Sequence, residues 1–142
     1  MTAVNPSTHE APANFAIVDI ETTGLRVKDD EILQIAVVLQ DWNSEPTHSW
    51  STYVRPPRWL SRDLGPHHVH GISRRHLVFA STPAKAMKKF ADLTAGRIVV
   101  AHNAEFDTSF LRTAAAQQNI DLRWQGVVFT LKLSRKLDPQ RQ

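Results

Sequence analysis

Residues 15–25 read Phe15-Ala16-Ile17-Val18-Asp19-Ile20-Glu21-Thr22-Thr23-Gly24-Leu25, and this stretch decides the fold. An aliphatic, β-branched run closed by the turn signal Thr23-Gly24 is a strand covered on both faces, hence central in its sheet. Two positions contradict that environment. Asp19 and Glu21 stand two residues apart, so on a strand both side chains leave the same face, roughly 7 Å apart along the backbone. A sheet centre ordinarily holds Val or Ile at such positions. Burying one unpaired carboxylate is costly, and burying a second beside it adds repulsion. The nearest cation in sequence, Arg26, lies beyond the turn.

Downstream, Glu31 to Gln40 and His48 to Arg55 are two further strand candidates, joined by the turn residues Asn43-Ser44-Glu45-Pro46 into a hairpin. Pro56 to Val78, rich in Pro, Arg and His, is a long loop with short helical turns. Ser81 or Thr82 can cap a helix with Pro83 in its first turn and Gly96 at its stop. In that helix Met87, Phe90 and Leu93 or Thr94 face inward, while Lys85, Lys88 and Lys89 form a solvated face. Arg97 to Ala101 is a short buried strand, and residues 104–118 form a helix with Phe110, Leu111 and Ala114 as its apolar stripe. A short strand around Val127–Phe129 leads into a last helix near Leu131–Leu137. The order β, β-hairpin, helix, β, helix, β, helix is an α/β layout with a mixed sheet.

Asp107 repeats the anomaly of the first strand. On a helical wheel it falls with Phe110, Leu111 and Ala114, in the middle of the inward stripe. An acid in a first turn complements the helix dipole, but one on the buried face needs another reason. Taken singly, Glu21 and Asp107 read equally well as partly exposed acids capping a loop or a helix. Taken together, three acids directed into an apolar sandwich are best explained by divalent cations. Oxygen-only ligands favour Mg²⁺ or Mn²⁺ over zinc. Two such ions about 4 Å apart are the apparatus for in-line phosphodiester hydrolysis, one generating hydroxide and the other stabilising the leaving oxygen.

The same residues resemble a known family. Phe15–Leu25 is similar to the first exonuclease motif of the DnaQ-like, or DEDD, superfamily, and Val99-Val100-Ala101-His102-Asn103-Ala104-Glu105-Phe106-Asp107 to the second. His70-Gly71-Ile72 and Thr130-Leu131-Lys132-Leu133-Ser134-Arg135 agree with it as well. Thr22-Thr23-Gly24 points to the DNA polymerase III epsilon-like branch. The resemblance implies a ribonuclease H-like fold, with a mixed five-stranded sheet of order 3-2-1-4-5 flanked by helices. It implies a 3′→5′ exonuclease that releases nucleoside monophosphates by a two-metal mechanism. Asp19, Glu21 and Asp107 would bind the metals. The backbone around Thr22, Thr23, Gly24 and Leu25 would hold the 3′-terminal nucleotide, with Leu25 wedged against its base. His102, Asn103 and Phe106 would line the path of the strand, as sequence-independent contacts do, with His70 packed near it.

One part of the pattern is missing. The family's third motif supplies a histidine that activates water and a metal-binding aspartate a few residues later. None of the seven histidines lies after His102, and Asp138 follows no histidine. The expectation is an incomplete domain over residues 15–142, lacking its C-terminal helices, behind a flexible tail at residues 1–14. Without a general base, activity falls about 10²–10⁴-fold. The bare sheet face would expose an apolar patch, met by self-association or a polymerase subunit. Two rivals remain: a catalytically inactive module that binds nucleic acid or a polymerase, and an RNA exonuclease with the same site.

Charge agrees with a polyanion ligand. Residues 1–50 hold eight acids and two bases, a balance of −6, and residues 51–142 hold fifteen bases and six acids, a balance of +9. The ligand expected is a single-stranded DNA 3′ end, with RNA as an alternative. Arg55, Arg58, Arg62, Arg74 and Arg75 are phosphate-contact candidates, and Trp59 is a base-stacking candidate. The trio His67, His68 and His70 has no further ligand type nearby and is a poor zinc site. The chain has no cysteine, so disulfides and thiolate metal sites are excluded. Its longest aliphatic run, Ile35 to Leu39, is too short for a membrane span. With no leader-like apolar core in Met1–Asn14, a cytoplasmic location is expected.

Overall fold

The computed structural model describes residues 13–43 and 45–130. The decisive stretch forms β1 (Phe15–Thr22), followed by β2 (Ile32–Gln40), β3 (His48–Tyr53), α1 (His67–His70), α2 (Arg74–Leu77), α3 (Pro83–Thr94), β4 (Ile98–Ala101), α4 (Ala104–Gln117) and β5 (Gly126–Phe129). The sheet order is β3-β2-β1-β4-β5, as expected, with β1 at its centre. β1 and β2 pair antiparallel, as do β2 and β3, whereas β4 runs parallel to both β1 and β5. The expected helix near Leu131–Leu137 lies outside the described residues, as does the N-terminal tail up to residue 12. Asn14, read as tail, is tied to the sheet: its carbonyl accepts from Ile98 N–H at 2.9 Å.

Strand pleating divides the sheet into two faces. Ala16, Val18 and Ile20 share one face with their antiparallel partners Leu39, Val37 and Ile35. On this face α3 and α4 deliver Met87, Phe90, Phe110 and Leu111 into the main core. Each large side chain buried here is worth roughly 1.5–3 kcal/mol relative to exposure. Thr82 caps α3 as expected, its Oγ1 accepting from Lys85 N–H, with Pro83 in the first turn. The choice between Leu93 and Thr94 falls to Thr94, which is fully buried. Its hydroxyl donates to Phe90 O at 2.9 Å and accepts from Trp124 Nε1–H at 3.0 Å, so the buried polar group is satisfied. On α4 Ala115 is buried with Phe110 and Leu111, and Ala114 is only partly buried.

The other face carries Ile17, Asp19 and Glu21. Ile17 is 45% exposed and Val128 of β5 40%, so along β1, β4 and β5 the described residues leave this face largely open. Near Glu21 it is covered. The register Glu21↔Gln34↔Tyr53 puts Tyr53 on Glu21's side, and Tyr53 packs against a second cluster of Leu33, Leu64, Ile72 and Leu77 supplied largely by the 56–80 segment. A register shift between Glu21 and Thr22 inserts Leu33 as an extra residue on β2. Ile32 then enters the main core with Ile35 and Val37, and Leu33 the second one, the reverse of what regular pleating from Ile35 would give.

Candidate active site at the carboxyl end of β1

Pairing between β1 and β4 is recorded from Phe15↔Ile98 to Ile17↔Val100. β4 ends at Ala101 and α4 begins at Ala104, so the first turn of α4 stands beside the outer half of β1. That arrangement brings Asp107 to Asp19 and Glu21. Asp107 is buried, and its carboxyl is pushed up to about 6, first by desolvation, then by the charge on Asp19 and, more weakly, by that on Glu21. The nearby His102 charge and a hydrogen bond from the backbone at Asn103 act in the opposite direction. Glu21 is also raised above the ordinary carboxyl range, by burial and by Asp19, against the lowering influence of His70. The three acids therefore form one electrostatic unit.

The sequence expectation of three acids buried in an apolar sandwich needs correction. Only Asp107 is buried; Asp19 is exposed and Glu21 half-buried, because the described residues cover their face of β1 near Glu21 and leave it open at Asp19. As the side chains stand, no three acid, imidazole or thiol groups among the described residues are gathered closely enough to form a finished metal cage. The donor chemistry nevertheless fits a hard divalent cation. All three groups are carboxylates, Glu21 and Asp107 are driven toward protonation by burial and then by the charge of Asp19, and the salt bridges found among the described residues, Arg62–Asp30 and Arg97–Asp41, involve none of the three. A dication among them would remove the repulsion that the ionised trio carries.

Thr22–Leu25 turns away from the acids as a bonded loop. Thr22 Oγ1–H donates to Gly24 O at 2.6 Å. Thr23 is buried with its hydroxyl turned inward, which leaves backbone and not this side chain for a ligand. Leu25 stands 83% exposed at the tip, the position a wedge against a base requires. Across the site His102 and Asn103 are exposed and Phe106 is half-buried, its ring 4.8 Å from that of Phe110. His102 Nδ1 lies 3.4 Å from Thr130 Oγ1.

His70 is spoken for. Ile72 N–H donates to its Nδ1 at 2.9 Å, which leaves the proton on Nε2, donated to Leu64 O at 2.6 Å. It ties the His-Gly loop together beside Glu21, and neither ring nitrogen is available as a ligand or base.

Several arginines expected at phosphates are engaged internally. Arg62 bonds to Thr23 and Asp29, and Arg74 donates from Nε to Leu60 O and from Nη2 to Arg62 O. Arg55 lies over the Trp59 ring at 5.5 Å, and Trp59 packs against the second core, so this ring already has partners within the protein. Arg58 and Arg75 remain exposed. Sequence reasoning missed Asp30 and Gly65, both of which shape the Thr22–Leu25 loop. Asp30 sits in an acidic run that reads as solvated surface, and its role depends on a chain reversal that no local spacing encodes.

A sheet of this order, with acids from β1 and α4 meeting at the carboxyl end of its central strand, defines a ribonuclease H-like nuclease scaffold. The RNase_T exonuclease family profile matches residues 16–141, and the chain belongs to this family. The class expected from the sequence, a 3′→5′ exonuclease of the DNA polymerase III-related type, agrees with it. The chain is 30% identical over 137 residues to a PolC-type DNA polymerase III of Streptococcus pyogenes, covering 96% of the chain and 9% of that protein. It thus spans about a tenth of the length of such relatives. Among solved structures, a product-bound exonuclease I superposes with a TM-score of 0.80 at 19% identity, over 92% of this chain and 34% of that one. A zinc-bound E. coli exonuclease I in complex with single-stranded DNA gives a TM-score of 0.75 at 19% identity, over 92% and 31%. Among the described residues no helix is long and apolar enough to cross a membrane.

Proposed function

We propose that this chain is the nuclease part of a 3′→5′ exonuclease that hydrolyses the terminal phosphodiester of single-stranded DNA and releases nucleoside monophosphates. The observation that carries the reading is the buried Asp107, held at an elevated pKa of about 6 beside Asp19 and Glu21. A structural acid is ordinarily set against a cation; the strongest charge acting on this one is that of another acid, Asp19, which outweighs His102. Asp19, Glu21 and Asp107 would hold Mg²⁺ or Mn²⁺, which when bound supplies Lewis-acid activation at the scissile phosphate. The exposed Leu25 and the Thr22–Leu25 backbone receive the terminal nucleotide, and His102, Asn103 and Phe106 border the strand behind it. Exposed Arg58 and Arg75 remain candidates for phosphate contacts.

His70, the imidazole beside Glu21, is committed to its own loop and is not placed as a general base. The same observation favours a second reading, a module that captures metal and strand ends without cleaving them. Calorimetric titration with Mn²⁺, paired with an assay of nucleotide release from a 5′-labelled oligodeoxynucleotide, separates the two. Mn²⁺ binding lost in Asp19→Ala, with slow 3′-end shortening by the parent, supports the exonuclease. Binding without any shortening supports the module. Equal Mn²⁺ affinity in parent and Asp19→Ala defeats both. An RNA oligonucleotide degraded faster than DNA would reassign the substrate, because the loop would then have to accept the 2′-hydroxyl.

A further inference from the structure

The loop after β1 owes its shape to groups far from it in sequence. Thr23 Oγ1–H donates to Asp30 Oδ1 at 2.8 Å and accepts from Glu31 N–H at 3.1 Å and Arg62 Nη2–H at 3.3 Å. One donor and two acceptor positions are all a hydroxyl has, so this one is fully used. The second carboxylate oxygen, Asp30 Oδ2, accepts from Arg26 N–H at 2.9 Å. Asp30 thus grips the loop on both sides of its tip, at Thr23 and at Arg26. Arg62 completes the clamp: Nη2 also donates to Asp29 O, and it pairs with Asp30 Oδ1 at 3.8 Å.

Arg62 is itself held in place. Its carbonyl accepts from Arg74 Nη2–H at 2.6 Å. Its Nε is buried without a partner, a cost that the side chain bears to keep Nη2 on the loop. Packing closes the remaining freedom. A Cβ on Gly24 would lie 2.5 Å from Asp30 Oδ2, and one on Gly65, at φ +82°, would lie 2.0 Å from Thr23 O. The segment carrying Arg62, Gly65 and Arg74 is therefore a buttress for the loop. A guanidinium bound to two backbone-shaping groups and a carboxylate is not free to meet phosphate.

We propose that Asp30 and Arg62 are positioning residues for the DNA 3′ end: they hold the Thr22–Leu25 backbone and the exposed Leu25 in the form that receives the terminal nucleotide beside the three acids. The proposal rests on the exonuclease reading above. It makes recognition of the strand end a property of residues 30 and 62 as much as of the loop that touches the ligand.

The test uses the full chain with Mn²⁺ and an oligothymidylate whose terminal linkage is a phosphorothioate. It carries 2-aminopurine either at the 3′ terminus or at the 5′ terminus. The wild type is expected to quench the 3′ label selectively. Arg62→Lys, which keeps the charge and loses the fork, and Asp30→Asn, which keeps the shape and loses the charge, are expected to weaken 3′-end capture about tenfold. Mn²⁺ affinity should stay within about twofold of wild type, a split that a general loss of folding would not produce. Amide exchange at Thr23, Arg26 and Glu31 should accelerate in both variants. Arg62→Ala is the harsher change, and if it unfolds the two conservative variants still decide. Selective capture by the wild type with unchanged capture and exchange in both variants overturns the clamp alone. Absence of 3′-selective capture by the wild type overturns the clamp together with the reading it rests on.

Discussion

β1 has two faces made from alternate residues of one strand, and they live under opposite rules. Ala16, Val18 and Ile20 are almost fully buried against α3 and α4, whereas Ile17, Asp19 and Glu21 look out on a face that the described residues leave partly open. The first face is governed by volume. The second is governed by charge, because its acids meet a third that arrives from α4, and none of the three takes part in the salt bridges found among the described residues. The stabilising half of the strand carries the polar half, and Asp107 alone bears the full cost of burial.

The contrast breaks most visibly in the core. Phe90→Ala should cost about 3–5 kcal/mol in a urea melt, since the ring is fully buried and its loss leaves a cavity in the main core. Ile17→Ala, on the open face, should cost less than about 1 kcal/mol. Similar losses for the two would mean that the open face is covered.

Metal affinity comes next. Asp107→Ala and Asp19→Ala should each weaken Mn²⁺ binding by at least about tenfold, about 1.4 kcal/mol, as read by calorimetry. A change at Asp19 that left affinity intact while Asp107→Ala abolished it would move the site off the exposed face.

A smaller effect runs in the opposite direction. Asp107 keeps its proton in the folded protein up to about pH 6, whereas an unfolded chain releases it near 3.8. Between those values the unfolded state binds fewer protons, so stability falls as pH rises, and the penalty is complete above pH 6. Asp107→Asn should therefore stabilise the metal-free chain by about 1–2 kcal/mol at pH 7.5, a few degrees in Tm, and give no gain at pH 4. No gain at pH 7.5 would show that the carboxylate is not held among like charges.

The smallest change is expected at the loop tip. Leu25→Ser should alter stability by less than about 0.5 kcal/mol, since the side chain is exposed. It should still reduce quenching of a 3′-terminal base analogue, and loss of stability there would reveal a packing role in place of a ligand-facing one.

The sequence by itself determined a good deal of this protein. Hydrophobic periodicity located the strands and both long helices, because burial of one face imposes period 2 on a strand and 3.6 on a helix, and these patterns are local. The acids at 19, 21 and 107 stood out for the same reason, as charges where the pattern calls for apolar side chains. Tertiary structure alone decided how buried each acid is, since exposure depends on which element covers a face. It also decided that Arg62 and Arg74 serve the loop and not the ligand, that His70 is locked by its own turn, and that Asp30 reaches back to Thr23. Hydrogen bonds between residues 23, 30 and 62 exist only once the chain has reversed and the second core has docked. A contact that depends on chain return leaves no period in the sequence to read.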